Sequence, residues 1–193
     1  MNKSAATAAF VALSLGSPPA PASEQGQGYV GAGLGMGHLS LDCAGTNRCD
    51  NTHTGGKVFG GYRAANGWGG ELIYVDWGRA RATAAVAEVG VVEGTIKARG
   101  FGAAVAYHAP INGDWLGVLR VGALSNRAKG TGVLGNASES VSERHANLYF
   151  GLGIGYRLMR NLSVDAGVDA SRIKLMGDTA NTALWSLGLS AAF

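Results

Sequence analysis

The chain has 193 residues, of which 32 are glycine and only 2 are cysteine. Charged residues make up 15% of it, against about 25% in a typical soluble domain, while hydrophobic residues reach 47%. This composition argues against a disordered chain, and the two cysteines are too few for a disulfide-rich miniprotein. The glycines follow no collagen period. A net charge of +3 is too small to indicate a nucleic-acid partner.

The N-terminus has the three-part pattern of a secretory signal peptide. Lys3 supplies a positive start, an apolar run from Ala5 to Leu15 follows, and the small residues Ala20 and Ala22 precede a cleavage point. We therefore expect residues 1–22 to be a cleaved signal peptide and residues 23–193 to form one domain. The apolar run is too short and too closely followed by proline for a membrane-spanning helix.

Apolar residues then alternate with small or polar ones along most of the chain. The clearest example is Asn147–Leu158, where every second position carries Leu, Phe, Ile or Tyr. A strand collects such a series on one face, whereas a helix would scatter it. The pattern predicts eight strands, which are Tyr29–Leu41, Gly55–Ala64, Trp68–Arg79, Gly94–Tyr107, Trp115–Arg127, Asn147–Leu158, Leu162–Arg172 and Thr182–Phe193.

Long and short connections alternate between these strands. With the boundaries above, the connections contain 13, 3, 14, 7, 19, 3 and 9 residues. One short connection contains Asn66-Gly67, a strong signal for a tight hairpin turn, and the longest connection runs from Ala128 to Ala146. Long extracellular loops alternating with short periplasmic turns are typical of an up-and-down membrane barrel.

The two faces of the strands distinguish a membrane barrel from a soluble one. The apolar faces carry no charge at mid-strand, and the opposite faces are mainly Gly, Ser and Ala, which suit a narrow interior. An eight-stranded soluble barrel of the lipocalin type is the alternative. We predict an all-β fold, an eight-stranded antiparallel up-and-down transmembrane β-barrel in the bacterial outer membrane. Aromatic residues near strand ends are expected to form its interfacial girdles: Tyr29, Trp68, Trp77, Tyr107, Trp115, Tyr156 and Phe193.

The C-terminal segment Trp185–Phe193 alternates up to a final aromatic residue. It resembles the terminal strand of bacterial outer-membrane barrels, which implies that Phe193 is part of the signal recognised by the barrel assembly machinery. The segments Gly28–Gly35, Lys57–Tyr62, Glu71–Gly78 and Gly153–Leu158 are similar to the transmembrane domain of the outer-membrane protein A superfamily. This resemblance implies a location among outer-membrane lipids, with lipopolysaccharide as a neighbour.

Alternation also predicts which charged side chains point into the barrel, namely Lys57, Glu71, Arg120 and Asp165. Unpaired charges in a dry interior are costly, so we expect them to pair or to meet trapped water. Glu71 matches an interior glutamate of the superfamily, but Asp165 stands where that family often has arginine. A network that fixes the strands is the favoured interpretation, and a gate is the alternative. The sequence leaves the direction of Lys97 and Arg99 open.

The two cysteines, Cys43 and Cys49, lie in the first long connection. A single close pair in an exported chain predicts a disulfide. A metal site using His38 or His53 is the alternative, although the cysteine spacing is not that of common zinc sites. We therefore expect no metal, and we expect no cofactor, because no strand-to-helix nucleotide motif occurs.

Little in the sequence indicates an enzyme. His38, Ser40 and Asp42 follow one strand face, which is a poor arrangement for a catalytic triad, and His108 is expected to be solvated beside a turn. We expect a non-enzymatic structural or surface-interaction role through the extracellular loops, the longest being the best candidate for contact with a partner. A narrow low-conductance pore and a lipid-A-modifying enzyme are the alternatives.

Overall fold

The computed structural model describes residues 26–40, 48–86, 90–134, 137–175 and 178–193. The signal-peptide prediction for residues 1–22 therefore lies outside the described residues, and so does the predicted disulfide, because Cys43 is in the gap after Ser40. No helix in the described part of the chain is long and apolar enough to cross a membrane. The strands are β1 Gln27–Leu39, β2 Arg48–Asp50, β3 Thr52–Arg63, β4 Trp68–Val86, β5 Gly90–Asn112, β6 Trp115–Leu134, β7 Ala137–Met159, β8 Leu162–Leu175 and β9 Asp178–Ala192.

These strands form one closed antiparallel barrel. β2 and β3 lie one after the other along β4, so the wall has eight positions, as predicted. Pairing of β4 with β5 and of β1 with β9 completes the circle. At the seam, the backbones of Gly28 and Phe193 exchange two hydrogen bonds of 3.1 and 2.8 Å. Closure matters because a barrel in lipid must pair every backbone donor and acceptor within itself.

The turns define the two ends of the barrel. Residues 64–67, 113–114 and 160–161 connect strands at the end that also holds both described termini. Short turns of this kind face the periplasm in outer-membrane barrels, so we call this the periplasmic end and the opposite end extracellular. Two exposed aromatic pairs lie near the periplasmic turns, Trp68 with Tyr107 and Trp115 with Tyr156, with ring centroids 4.9 and 5.0 Å apart.

The outer wall between the two ends is apolar. Strand alternation turns large hydrophobic side chains outward, where more than two fifths of each is exposed: Val30, Leu34, Leu72, Phe101, Val105, Leu119, Leu152 and Leu187. We call this surface the apolar band. Such a continuous exposed apolar surface is unsuited to water and fits the hydrocarbon of a bilayer.

Two of the seven predicted girdle aromatics face inward instead. Tyr29 is 7% exposed and Trp77 is fully buried, so their inclusion in the girdle was wrong. Both fall on the inward parity of their strands, and Trp77 is the extra residue of a β-bulge between Asp76 and Gly78. Gly78 has a φ of 94°, and its N–H donates to Asp76 Oδ1 at 3.0 Å. The bulge reverses the alternation, so the next residue, Arg79, faces outward.

The strands extend farther at the extracellular end than the sequence predicts. The expected 19-residue loop Ala128–Ala146 is mostly a hairpin, since β6 continues to Leu134 and β7 begins at Ala137. Likewise, β4 and β5 pair up to Val86 and Gly90. Near the hairpin tip the side chains on both strand faces are exposed, as at Ser140, Val141 and Ser142, and alternation then loses the contrast on which the prediction depends.

Glycines on the inward face allow neighbouring strands to approach closely. A Cβ added to Gly35 would collide with the backbone oxygen of Trp185 on β9, whereas Gly70 on the outer wall has no atom within 4 Å of such a Cβ. We expect Gly35→Ala to lower the free energy of unfolding by about 1–3 kcal/mol, because backbone atoms in a ladder cannot move aside. Gly70→Ala should change it by less than about 0.5 kcal/mol.

Urea unfolding in lipid vesicles measures both values. Equal effects of the two substitutions would contradict the described packing of β1 against β9.

Candidate functional site

Three tiers of polar side chains fill the barrel interior, and the tier nearest the periplasm centres on Glu71. Its carboxylate accepts hydrogen bonds from Arg120 Nε at 2.6 Å and from the Tyr29 hydroxyl at 2.7 Å. His108 Nε2 lies 3.1 Å from the same Tyr29 oxygen. Glu71, His108 and Arg120 are all buried, so the expectation that His108 is solvated was wrong. Its strand, β5, continues past the predicted end at Tyr107 and turns His108 inward.

The second tier is an ion pair that the sequence analysis missed. Lys57 Nζ lies 2.6 Å from Asp169 Oδ2, and the Asp169 side chain is fully buried. The hydroxyl of Tyr149 donates to the other oxygen of the same carboxylate. Asp169 shares the inward parity of Asp165 on β8, so the alternation contained the signal needed to find it. Phe59 separates this pair from the first tier, with Arg120 and Lys57 at 4.8 and 5.7 Å from its ring centroid.

The third tier is uncharged. Trp77 Nε1 donates to Asn126 Oδ1 at 3.2 Å, and Asn126 Nδ2 donates to Ser171 Oγ at 2.8 Å. Ser171 in turn donates to the backbone oxygen of Leu148 at 2.8 Å. The tier therefore links β4, β6, β7 and β8 across the lumen. Beyond it, buried apolar side chains close the extracellular half of the interior: Leu39, Ala80, Ala98, Ala128, Ile173 and Leu184.

The fourth predicted interior charge, Asp165, is not paired like the other three. Its Oδ2 is buried and has no hydrogen-bond partner among the described residues. Asp165 lines an interior cavity of about 20 Å³ together with Lys57 and Arg120. A cavity of this size holds a water molecule but no larger solute. Around these charges, the interior that the structure describes is a filled core with room for a water molecule.

Three glycines on β7 make room for these charged groups. A Cβ on Gly151 would come within 3.0 Å of Asp169 Oδ1, and one on Gly155 would lie 2.6 Å from Asp165 Oδ1. Gly153 lies between them and faces the Arg120 guanidinium. The small residues predicted to fill a narrow interior therefore also create the space that the interior ion pairs occupy.

The extracellular end carries exposed charge on its outer wall. Lys97 and Arg99, whose direction the sequence left open, both face outward beyond Phe101 on β5. Arg99 Nε lies 3.0 Å from Asp76 Oδ2, and both side chains are substantially exposed. On the inner face, Glu143 lies 3.5 Å from His145. Among the described residues, no group of three or more His, Cys, Asp or Glu could hold a metal ion.

A closed antiparallel barrel with an apolar outer wall and a charged, filled interior defines a transmembrane β-barrel. The sequence matches the outer membrane protein beta-barrel domain over residues 6–193, and the chain belongs to this family. The protein is therefore a bacterial outer-membrane barrel, as the resemblance to the outer-membrane protein A superfamily implied. A comparison with curated proteins gives no significant match.

Solved structures with the same fold come from several bacteria. The attachment invasion locus protein Ail of Yersinia pestis shares 20% identity at a TM-score of 0.61, over 88% of this chain and 99% of Ail. Neisserial surface protein A shares 18% identity at a TM-score of 0.59, over 86% of this chain and 97% of its own. A major outer membrane protein of Thermus thermophilus shares 16% identity at a TM-score of 0.51, over 87% of this chain and 99% of its own. At these identities the likeness concerns the fold.

The two aspartates on β8 provide a matched test of the interior network. We expect Asp169→Asn to lower the free energy of unfolding by about 3–5 kcal/mol, because it leaves Lys57 buried without its counter-charge. Asp165→Asn should change it by no more than about 1 kcal/mol, since Oδ2 loses no partner. Urea titration in vesicles, followed by tryptophan fluorescence, measures both. A larger loss for Asp165→Asn would contradict the described pairing.

Proposed function

We propose that this barrel acts by contact with partners outside the cell, through the hairpins at its extracellular end. The observation that carries the proposal is the continuation of strand pairing beyond the apolar band. From Phe101, the pairing of β5 with β6 runs on to Val92 and Leu134. Nine residues at about 3.3 Å each give about 30 Å of strand, which rises about 20 Å at the tilt of a barrel strand.

Paired strands hold such a surface in a fixed shape, and recognition depends on loops and hairpins carried by a rigid scaffold. The filled interior supports the same proposal, because it leaves the ends and the outer wall as the surfaces available for contact. The 20 Å³ cavity and the apolar layer above it disfavour a pore for solutes. The proposed role is non-enzymatic, in line with the poor triad arrangement of His38, Ser40 and Asp42.

One fold relative suggests a first probe. Ail of Yersinia pestis was crystallised in complex with the heparin analogue sucrose octasulfate, a polyanion. For the present chain, immobilised heparin and cultured epithelial cells are suitable surfaces on which to measure attachment.

Shortening one hairpin tests the proposal. Lys129 pairs with Ser142, so deleting residues 130–141 and joining the ends through Asn-Gly keeps the register of β6 and β7. A bacterial host displaying the full chain should attach to heparin or to epithelial cells above the empty host, and the shortened variant should lose about tenfold or more of this attachment.

Asp114→Asn, in a periplasmic turn, serves as the control and should attach like the full chain. Heat-dependent gel migration checks that each variant is folded, and surface labelling checks equal display. The proposal is wrong if the full chain attaches no better than the empty host to either surface, or if the shortened variant attaches equally well.

A further inference from the structure

The outer wall carries a ladder of arginines where the apolar band ends. Arg99 on β5 lies directly opposite Arg127 on β6, and Arg127 lies directly opposite Arg144 on β7. All three side chains are exposed on the outward face. Side chains opposite each other on neighbouring strands are about 5 Å apart at Cβ, and like charges in such positions repel. We call these three residues the arginine ladder.

A second row of cations lies two residues farther along the strands toward the extracellular end. Lys97 pairs with Arg79 on β4 and with Lys129 on β6, and all three are exposed. Six cations thus share one side of the barrel. Among the side chains that the structure describes on this outer face, the carboxylate is Asp76, which contacts Arg99 at the edge of the ladder. Among these described side chains, one carboxylate therefore stands against six cations.

The guanidinium groups of the ladder keep donors for an external anion. Arg127 Nε donates to Ser142 Oγ at 2.9 Å, which leaves its two terminal nitrogens available. Planar guanidinium groups bind phosphate in a bidentate manner, and these charge-assisted hydrogen bonds are stronger than neutral ones. A row of three arginines would match several phosphate groups, which separate molecules or one lipid with more than one phosphate could supply.

The position of the ladder indicates a lipid as the source of phosphate. Arg99 lies two residues beyond Phe101, about 7 Å along the strand from the last large aromatic side chain of the apolar band. The exposed side chains of Phe101, Val121 and Leu148 lie below the ladder on the same strands. A molecule that contacts both surfaces needs an anionic head and hydrocarbon chains. A soluble polyanion would contact the arginine ladder but not the apolar band.

We propose that the arginine ladder binds the phosphate groups of a phosphorylated glycolipid in the outer leaflet, whose acyl chains lie against the apolar band of β5 to β7. Bound phosphate would offset the repulsion within the ladder and fix the depth of the barrel in the membrane. This inference concerns the wall of the barrel and does not rest on the proposed role of the hairpins.

The chain offers a matched control for this site. Arg172 and Lys174 on β8 are exposed at the same end, but they lie opposite the uncharged Asn181 and Thr179 on β9. Arg127→Gln with Arg144→Gln removes two charges from the ladder, whereas Arg172→Gln with Lys174→Gln removes two charges outside it. Both double variants keep the apolar band and the interior network unchanged.

The experiment compares the three proteins refolded in phosphatidylcholine vesicles with and without lipid A, an acylated disaccharide carrying two phosphates. Lipid A should raise the urea midpoint of the full chain and of the β8 control. The ladder variant should bind labelled lipid A about tenfold or more weakly and should gain little stability from it. In phosphatidylcholine alone the ladder variant should be at least as stable as the full chain, because its repulsion is removed.

Three outcomes would overturn the proposal. Equal gains for the ladder variant and the β8 control would show no role for the ladder. Equal gains from dephosphorylated lipid A would show that phosphate is not recognised. Displacement of lipid A by soluble heparin at equal phosphate and sulfate charge would assign the ladder to a soluble polyanion instead. Attachment of displaying cells is measured separately, so either proposal can fail alone.

Discussion

In hydrocarbon, a backbone donor or acceptor has no water to bind, and this constraint organises the whole molecule. The sheet must close, which it does through the pairing of β4 with β5 and of β1 with β9. Closure of an alternating strand pattern then assigns every side chain to one of two environments. Within the apolar band, large hydrophobic residues face lipid, while small, polar and some apolar residues share a narrow lumen that eight strand positions surround.

Eight strands enclose a narrow lumen, and paired polar groups fill much of its periplasmic half. Glu71 with Arg120 and Lys57 with Asp169 are both buried, with Phe59 between them. Partners across the lumen come from strands far apart in sequence, so each pair ties together separate parts of the wall. A buried charge without its partner would be far more costly than a charge in a hydrogen-bonded pair. The same filling disfavours transport of solutes and leaves the outer surfaces for interaction.

Alternation in the sequence was sufficient to predict the number of strands, the apolar outer wall and the location in the outer membrane. It also assigned Glu71 and Arg120 to the inward face. It could not show that they contact each other, because the curvature of the closed barrel decides which side chains meet across the lumen. Asp169 was overlooked although its parity matched that of Asp165. Arg79 lies beyond a bulge that the sequence does not mark clearly, since Gly78 is one glycine among many. Near the hairpin tips, where side chains on both faces are exposed, hydrophobic contrast disappears and alternation no longer distinguishes a strand from a loop.

The outward apolar surface requires an amphiphile, and refolding tests this requirement directly. The urea-unfolded chain is diluted either into phosphatidylcholine vesicles or into plain buffer, and folding is followed by circular dichroism and by heat-dependent migration on gels. We expect a strand spectrum and a heat-sensitive band in vesicles, with neither in buffer alone. A folded, monomeric and soluble product in buffer without lipid or detergent would contradict the assignment of the outer wall to lipid.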